Sequence, residues 1–109
     1  MNGAAVTIDG NAWVASTGAA NFTTNGTAMS NQWLTLSPTA DAGRTTMLKT
    51  WRQHWAFAIA LNSVPNGTYQ VYVYTVSDWT DPNPPTTTFK LEGATVGTTV
   101  QGAAGTWQR

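Results

Sequence analysis

Thr, Gly, Asn and Pro interrupt this sequence so often that no window holds an apolar stripe of roughly 3.6-residue period for three turns, plentiful Ala notwithstanding. Helix is therefore a minor element at most, and the apolar residues must be buried on strands. Period-two alternation agrees. Val6 and Ile8 flank Thr7, Leu34 and Leu36 flank Thr35, and alanines separate Trp55, Phe57, Ile59 and Leu61. Residues 68–77, TYQVYVYTVS, predict a long strand. Pro65 and Asn66-Gly67 supply a turn before it, so it is expected to form a hairpin with the strand ending at Leu61. Further strands are expected over 45–52, 86–92 and 95–100, with turns at Gly43, Pro82 to Pro85 and Gly93. Residues 15–31 have loop composition and predict a long surface loop or an irregular edge strand. Short strands at this spacing predict an all-β fold, an antiparallel two-sheet β-sandwich of jelly-roll type. The length of 109 residues suits one domain, residues 1–109.

Five basic and five acidic residues leave zero net charge, so the surface must be polar through hydroxyls and amides. That removes the basic footprint that nucleic acid and anionic membranes require, and neither is expected as a partner. The apolar run 55–61 is far shorter than the roughly 20 residues that span a bilayer, and no signal-like segment precedes it. The N-terminus reads as that of a trimmed module. The absence of cysteine rules out a disulfide framework, a thiolate metal site and a Cys nucleophile.

Six tryptophans, three tyrosines and three phenylalanines are more aromatic area than one small core needs, so some rings should face solvent. Exposed rings on a weakly charged surface suit a ligand with flat apolar faces rimmed by hydrogen-bonding groups, as in β-linked sugars. Parity sorts the candidates. If Leu34 and Leu36 point inward, Trp33 points outward. If Tyr69, Val71 and Val73 fill the core, Gln70, Tyr72 and Tyr74 share the outer face, the two tyrosines about 7 Å apart, close to one sugar residue. Trp79 follows that strand in a loop beside Asp78. Trp51 and Trp55 flank Arg52, Gln53 and His54, a group rich in hydrogen-bonding side chains. Plainer roles stand beside these: Trp13 and Trp107 as sheet-packing or rim residues, Trp55 as a cap on the core, Tyr72 and Tyr74 as inward-facing if the parity is reversed.

Catalysis has little to work with. A glycosidase needs two carboxylates across the scissile bond, and only Asp9, Asp41, Asp78, Asp81 and Glu92 are available. Asp78 and Asp81 are more simply turn residues, and the single histidine, His54, has no nucleophile elbow beside it. No enzyme activity and no cofactor are expected. A structural Ca²⁺ held by Asp78, Asp81 and Asn83, or by Asp9 or Asp41, is the one metal considered, without diagnostic spacing.

The segment VPNGTYQVYVYTVSD, followed after a loop by TFKLEGATV, resembles the central strands of malectin-like carbohydrate-binding modules of bacterial extracellular enzymes and surface proteins. Gly67, Tyr69, Val71, Asp78, Phe89 and Gly93 hold the family's places, and VTIDGNAW and MLKTWR extend the likeness over most of the chain. The resemblance implies a jelly roll that binds glycans without transforming them, in a secreted protein, usually appended to a catalytic partner such as a glycoside hydrolase. Family chains generally continue past the GTWQ region, so this one is expected to be a compact variant or to leave an edge open to another chain. The family's binding aromatics lie in variable loops and are not carried across. The expected function is recognition of β-1,4-linked plant cell-wall glucans (mixed-linkage β-glucan, xyloglucan, cello-oligosaccharides). The expected site is Trp33, Trp51, Trp55, Trp79, Tyr72 and Tyr74, with Arg52, Gln53, His54, Gln70 and Asp78 at the rims. The competing readings are an adhesion or spacer module whose aromatics pack on a partner domain, and a small hydrolase.

Overall fold

A computed structural model describes residues 2–80 and 82–109. It is an all-β chain with one short helix. The strands are β1 (Val6–Ile8), β2 (Asn11–Trp13), β3 (Phe22–Thr24) and β4 (Thr27–Ser30), then helix α1 (Ala42–Leu48) and β5 (Thr50–Gln53). There follow β6 (Ile59–Leu61), β7 (Thr75–Val76), β8 (Thr86–Leu91), β9 (Ala94–Val100) and β10 (Trp107–Gln108). They pair antiparallel two by two, as β1–β2, β3–β6, β4–β5, β7–β10 and β8–β9.

Turn chemistry closes two hairpins. Asp9 and Gly10 between β1 and β2, and Glu92 and Gly93 between β8 and β9, all have positive φ, as a two-residue primed turn demands. The strands expected over 86–92 and 95–100, with a turn at Gly93, are thus present as β8 and β9, which pair across it. The core is Ile8, Leu34, Leu36, Met47 and Leu48, with Val6, Trp13, Tyr74, Val76 and Trp107 packed against it. Inward Leu34 and Leu36 with outward Trp33 follow the expected parity, although this stretch is irregular rather than a strand.

Three expectations are corrected. Residues 45–52 do not form one strand: their first half belongs to α1, because the Asp41 carboxylate accepts from Arg44 N at 2.9 Å and caps the helix. Burial of Met47 and Leu48 then outweighs the β preference of Thr45 and Thr46. Residues 15–31, expected as a long surface loop or an irregular edge strand, carry the short strands β3 and β4, but the hairpin between 55–61 and 68–77 does not form. Instead β6 lies along β3, seated by the Asn25 side chain, which donates to Ala56 O at 2.7 Å and accepts from Ala58 N at 2.8 Å, as a strand partner would. Finally, Tyr69, Val71, Val73 and the alternating series from Trp55 to Leu61 are exposed. In residues 68–77 it is Tyr74 and Val76 that turn to the core.

The β1–β2 turn is tied to α1 by the Arg44 guanidinium, which donates to both Asp9 and Asp41. Hydrogen bonds to Asp9 first, then to Asp41, raise the Arg44 pKa further above neutrality. In turn the Arg44 backbone N–H first, and its side chain second, hold the Asp41 carboxyl below its ordinary 3.8. A depressed carboxyl stabilises the fold above its unfolded-state pKa and loses that contribution as pH falls through the folded value. Thermal midpoints should therefore stay level from pH 7 down to about 5 and fall below about 4, with a smaller acid step in Asp41→Asn. Circular dichroism melts at stepped pH check this, and an unaltered acid step in the variant would contradict it.

Candidate functional site

Two short turns bring together the side chains that the sequence placed far apart. In the first, the Asn31 side-chain oxygen accepts from Trp33 N at 3.0 Å. In the second, Ser77 Oγ accepts from Trp79 N at 3.2 Å. Both are turns in which a short polar side chain bonds the backbone two residues on, and each ends in a tryptophan. The buried side chains of Leu34 and Ser77 root these turns in the protein. Asn31 Nδ2 then donates to Asp78 Oδ1 at 2.9 Å and joins the two turns across 47 residues of sequence.

Lys49 completes the frame. Its Nζ donates to Gln32 O at 2.8 Å, and its backbone O accepts from Asn31 N at 3.1 Å. Trp33 is 94 % exposed and Trp79 39 %. The result is a pair of solvent-facing indoles around a polar centre of Asn31, Lys49 and Asp78. Sequence reasoning reached Trp33, Trp79 and Asp78 and missed Asn31 and Lys49. The Asn-x-Trp and Ser-x-Trp spacing was the available signal for the turns; nothing local announced the bond between them.

Asn31→Ala removes both the Trp33 turn bond and the link to Asp78. It is expected to weaken ligand binding about fivefold and to lower the melting temperature by about 5 °C, since the two lost bonds are at the surface and together contribute about 1 kcal/mol. Calorimetric titration beside a melting curve measures both; unchanged affinity would dissociate Asn31 from the site.

The other expected residues lie on or beyond the β4–β5 ribbon, whose last residue pair, Ser30 and Thr50, adjoins Asn31 and Lys49. Trp51, half-buried, sits opposite Met29, and its Nε1 donates to Gln53 Oε1 at 3.3 Å. At the far end His54 Nδ1 lies 3.1 Å from Ala56 N and 3.5 Å from Asn25 Nδ2, and Trp55 is 91 % exposed. Arg52 is engaged structurally, its guanidinium donating to Ser16 Oγ at 3.0 Å and Gly26 O at 2.8 Å.

Tyr72 is exposed, donates to Gln70 Oε1 at 2.7 Å and carries the Arg109 guanidinium 4.8 Å over its ring. Tyr74 does not share its setting. It packs edge-on to Trp13 at 5.5 Å and stacks on Trp107 at 6.2 Å against the core, so the expected pairing of Tyr72 and Tyr74 on one outer face is corrected. Tyr74 and Trp107 also wall a groove of about 250 Å³ with Arg44 and Arg109 at its rim.

Among the described residues, no three His, Cys, Asp or Glu side chains gather to hold a metal ion. Asp81 lies outside the described residues. Asp9 and Asp41 converge, but on the Arg44 guanidinium. Among the described residues no helix is long and apolar enough to cross a membrane. Comparison with protein-family models, with curated proteins and with solved structures finds no match.

Proposed function

We propose that the chain is a noncatalytic carbohydrate-binding module of a secreted protein, a two-sheet jelly roll that holds β-1,4-linked glucan chains on the indoles of Trp33 and Trp79. Mixed-linkage β-glucan, xyloglucan and cello-oligosaccharides are the ligand class. The observation that supports this reading most is the pair of matched turns joined by Asn31 and Asp78, each presenting a tryptophan to solvent. Axial C–H bonds of a pyranose lie on the electron-rich ring face, while equatorial hydroxyls reach amide, ammonium and carboxylate groups at its edge. A neutral polymer asks for no net charge, and the protein has none.

The β4–β5 ribbon of four residue pairs spans about 13 Å, roughly two sugar residues at the strand rise, and exposed Trp55 beyond it serves a further sugar. Each stacked ring contributes about 1–2 kcal/mol, by analogy with aromatic and base stacking. Three rings with their hydrogen bonds give micromolar affinity once ordering costs are subtracted. In a parent protein the module would hold a linked glycoside hydrolase near its polymer and raise the effective substrate concentration.

Affinity gel electrophoresis over a panel of polysaccharides tests this. Retardation by mixed-linkage glucan or xyloglucan but not by starch is the expected result; free migration in every gel overturns the reading. Exposed Val71 and Val96 favour a second reading, an adhesion or spacer module, which predicts that free migration.

A further inference from the structure

The dipeptide Asn-Gly occurs three times in the chain, at 2–3, 25–26 and 66–67. In this pair the backbone can close on the asparagine side chain, because glycine has no Cβ to keep its nitrogen from the preceding amide carbon. Closure needs a free N–H on the glycine and a side-chain amide able to swing onto it. The fold treats the three copies differently.

At Asn25 both requirements are denied. Its side chain is engaged with the segment leading into β6, donating to Ala56 O at 2.7 Å and accepting from Ala58 N at 2.8 Å. Gly26 is buried, its N–H donates to Thr24 Oγ1 at 3.0 Å, and its carbonyl accepts from the Arg52 guanidinium at 2.8 Å. Asn2 is tied through its side chain to Met29 O at 3.2 Å, and Gly3 packs against Thr50. Asn66 and Gly67, by contrast, lie in an exposed bend outside every strand. Among the described residues neither makes a hydrogen bond, and the atoms nearest to where a Gly67 Cβ would stand are those of the Tyr69 side chain, at 3.5 Å.

We infer that Asn66 is a site of spontaneous deamidation to aspartate and isoaspartate, while the same dipeptide at Asn25 is protected by the fold. The Gly67 nitrogen attacks Asn66 Cγ, a C–N bond forms as the Cγ–Nδ2 bond breaks, and ammonia leaves carrying the former amide proton. Water then opens the cyclic imide at either carbonyl, and no oxidant or reductant takes part. The product adds one carboxylate to a chain of zero formal net charge, and isoaspartate also lengthens the backbone by a methylene. The segment tolerates this, because residues 62–74 lie outside the helix and strands and only Tyr74 among them packs on the core. Position 25 would not: a carboxylate there cannot donate to Ala56 O, and the seat of β6 is lost.

Incubation of the folded protein in mildly alkaline buffer, followed by isoelectric focusing and tandem mass spectrometry of tryptic peptides, tests the inference. Arg44, Lys49 and Arg52 lie between the two asparagines, so trypsin separates them. An acidic form one charge from the parent is expected, with aspartate and isoaspartate at residue 66 while Asn25 stays intact; in denaturant both convert. Asn66→Gln, whose longer side chain must close a larger ring, should remove that acidic form, and Gly67→Ala should slow it severalfold. Both variants should leave glucan retardation as it was. Conversion of Asn25 as fast as Asn66 in the folded protein, an undiminished acidic form in Asn66→Gln, or an Asn66 that stays intact while the denatured chain converts, overturns the inference.

Discussion

Replacing Trp33 and Trp79 together with alanine is expected to weaken cello-oligosaccharide binding about a hundredfold and to lower the melting temperature by no more than a few degrees. The magnitude follows from the stacking. Each lost ring removes about 1.4 kcal/mol, a factor of ten, and the two contacts add because they engage different sugars. The small effect on folding follows from exposure. Trp33 buries almost nothing, and its turn is held by Asn31 and Leu34, which remain. Trp79 is partly covered, so its removal accounts for whatever melting change is seen. Calorimetric titration with a melting curve separates the two quantities. A variant that binds as well as the parent would remove these indoles from the site.

Leu48→Ala is expected to do the opposite, costing about 3 kcal/mol of stability and lowering the melting temperature by about 15 °C, with affinity of the folded fraction preserved. Leu48 is 2 % exposed and belongs to a buried apolar set of only five side chains among the described residues. Its truncation loses the transfer free energy of three carbons and leaves a cavity that short strands and a seven-residue helix close poorly. Against a total of about 5–10 kcal/mol for a domain of this size, one such loss is severe. A melting temperature within about 4 °C of the parent would mean that α1 is not seated on β1 as described.

How far the sequence alone reaches is clear from particular residues. Leu34 and Leu36 alternate with polar neighbours on one side only, so period two gave Trp33 its outward direction correctly. Glu92-Gly93 carries its turn chemistry in two adjacent residues, and the hairpin was equally readable. Residues 68–77 are apolar on both parities, with Val71 and Val73 on one and Tyr72, Tyr74 and Val76 on the other, so alternation had no means of choosing the core face. It chose wrongly. Helix α1 was hidden because Thr45 and Thr46 favour strands locally, whereas the burial of Met47 and Leu48 acts through tertiary structure; the Asp41 cap was a local signal that the strand reading passed over. The pairing of β3 with β6 turns on one Asn25 side chain that imitates a strand, which no composition rule anticipates.

The site divides in the same way. Its tryptophans announced themselves as surplus aromatic area, and their turns are local. The Asn31–Asp78 bond that joins their two turns spans 47 residues and exists only in the folded chain. Arg52 shows the same limit: grouped with Gln53 and His54 it reads as a hydrogen-bonding side chain, while its bonds to Ser16 and Gly26, 36 and 26 residues away, exist only in the folded chain.

The indole Nε1–H region of a nitrogen–proton correlation spectrum resolves each of the six tryptophans, and titrating cellohexaose into it tests the glucan reading most directly. Trp33 and Trp79 should move together along one saturation curve, with Trp55 following, while Trp13 and Trp107, packed around Tyr74, stay in place. A spectrum in which no indole responds, or in which only Trp13 and Trp107 do, would contradict it.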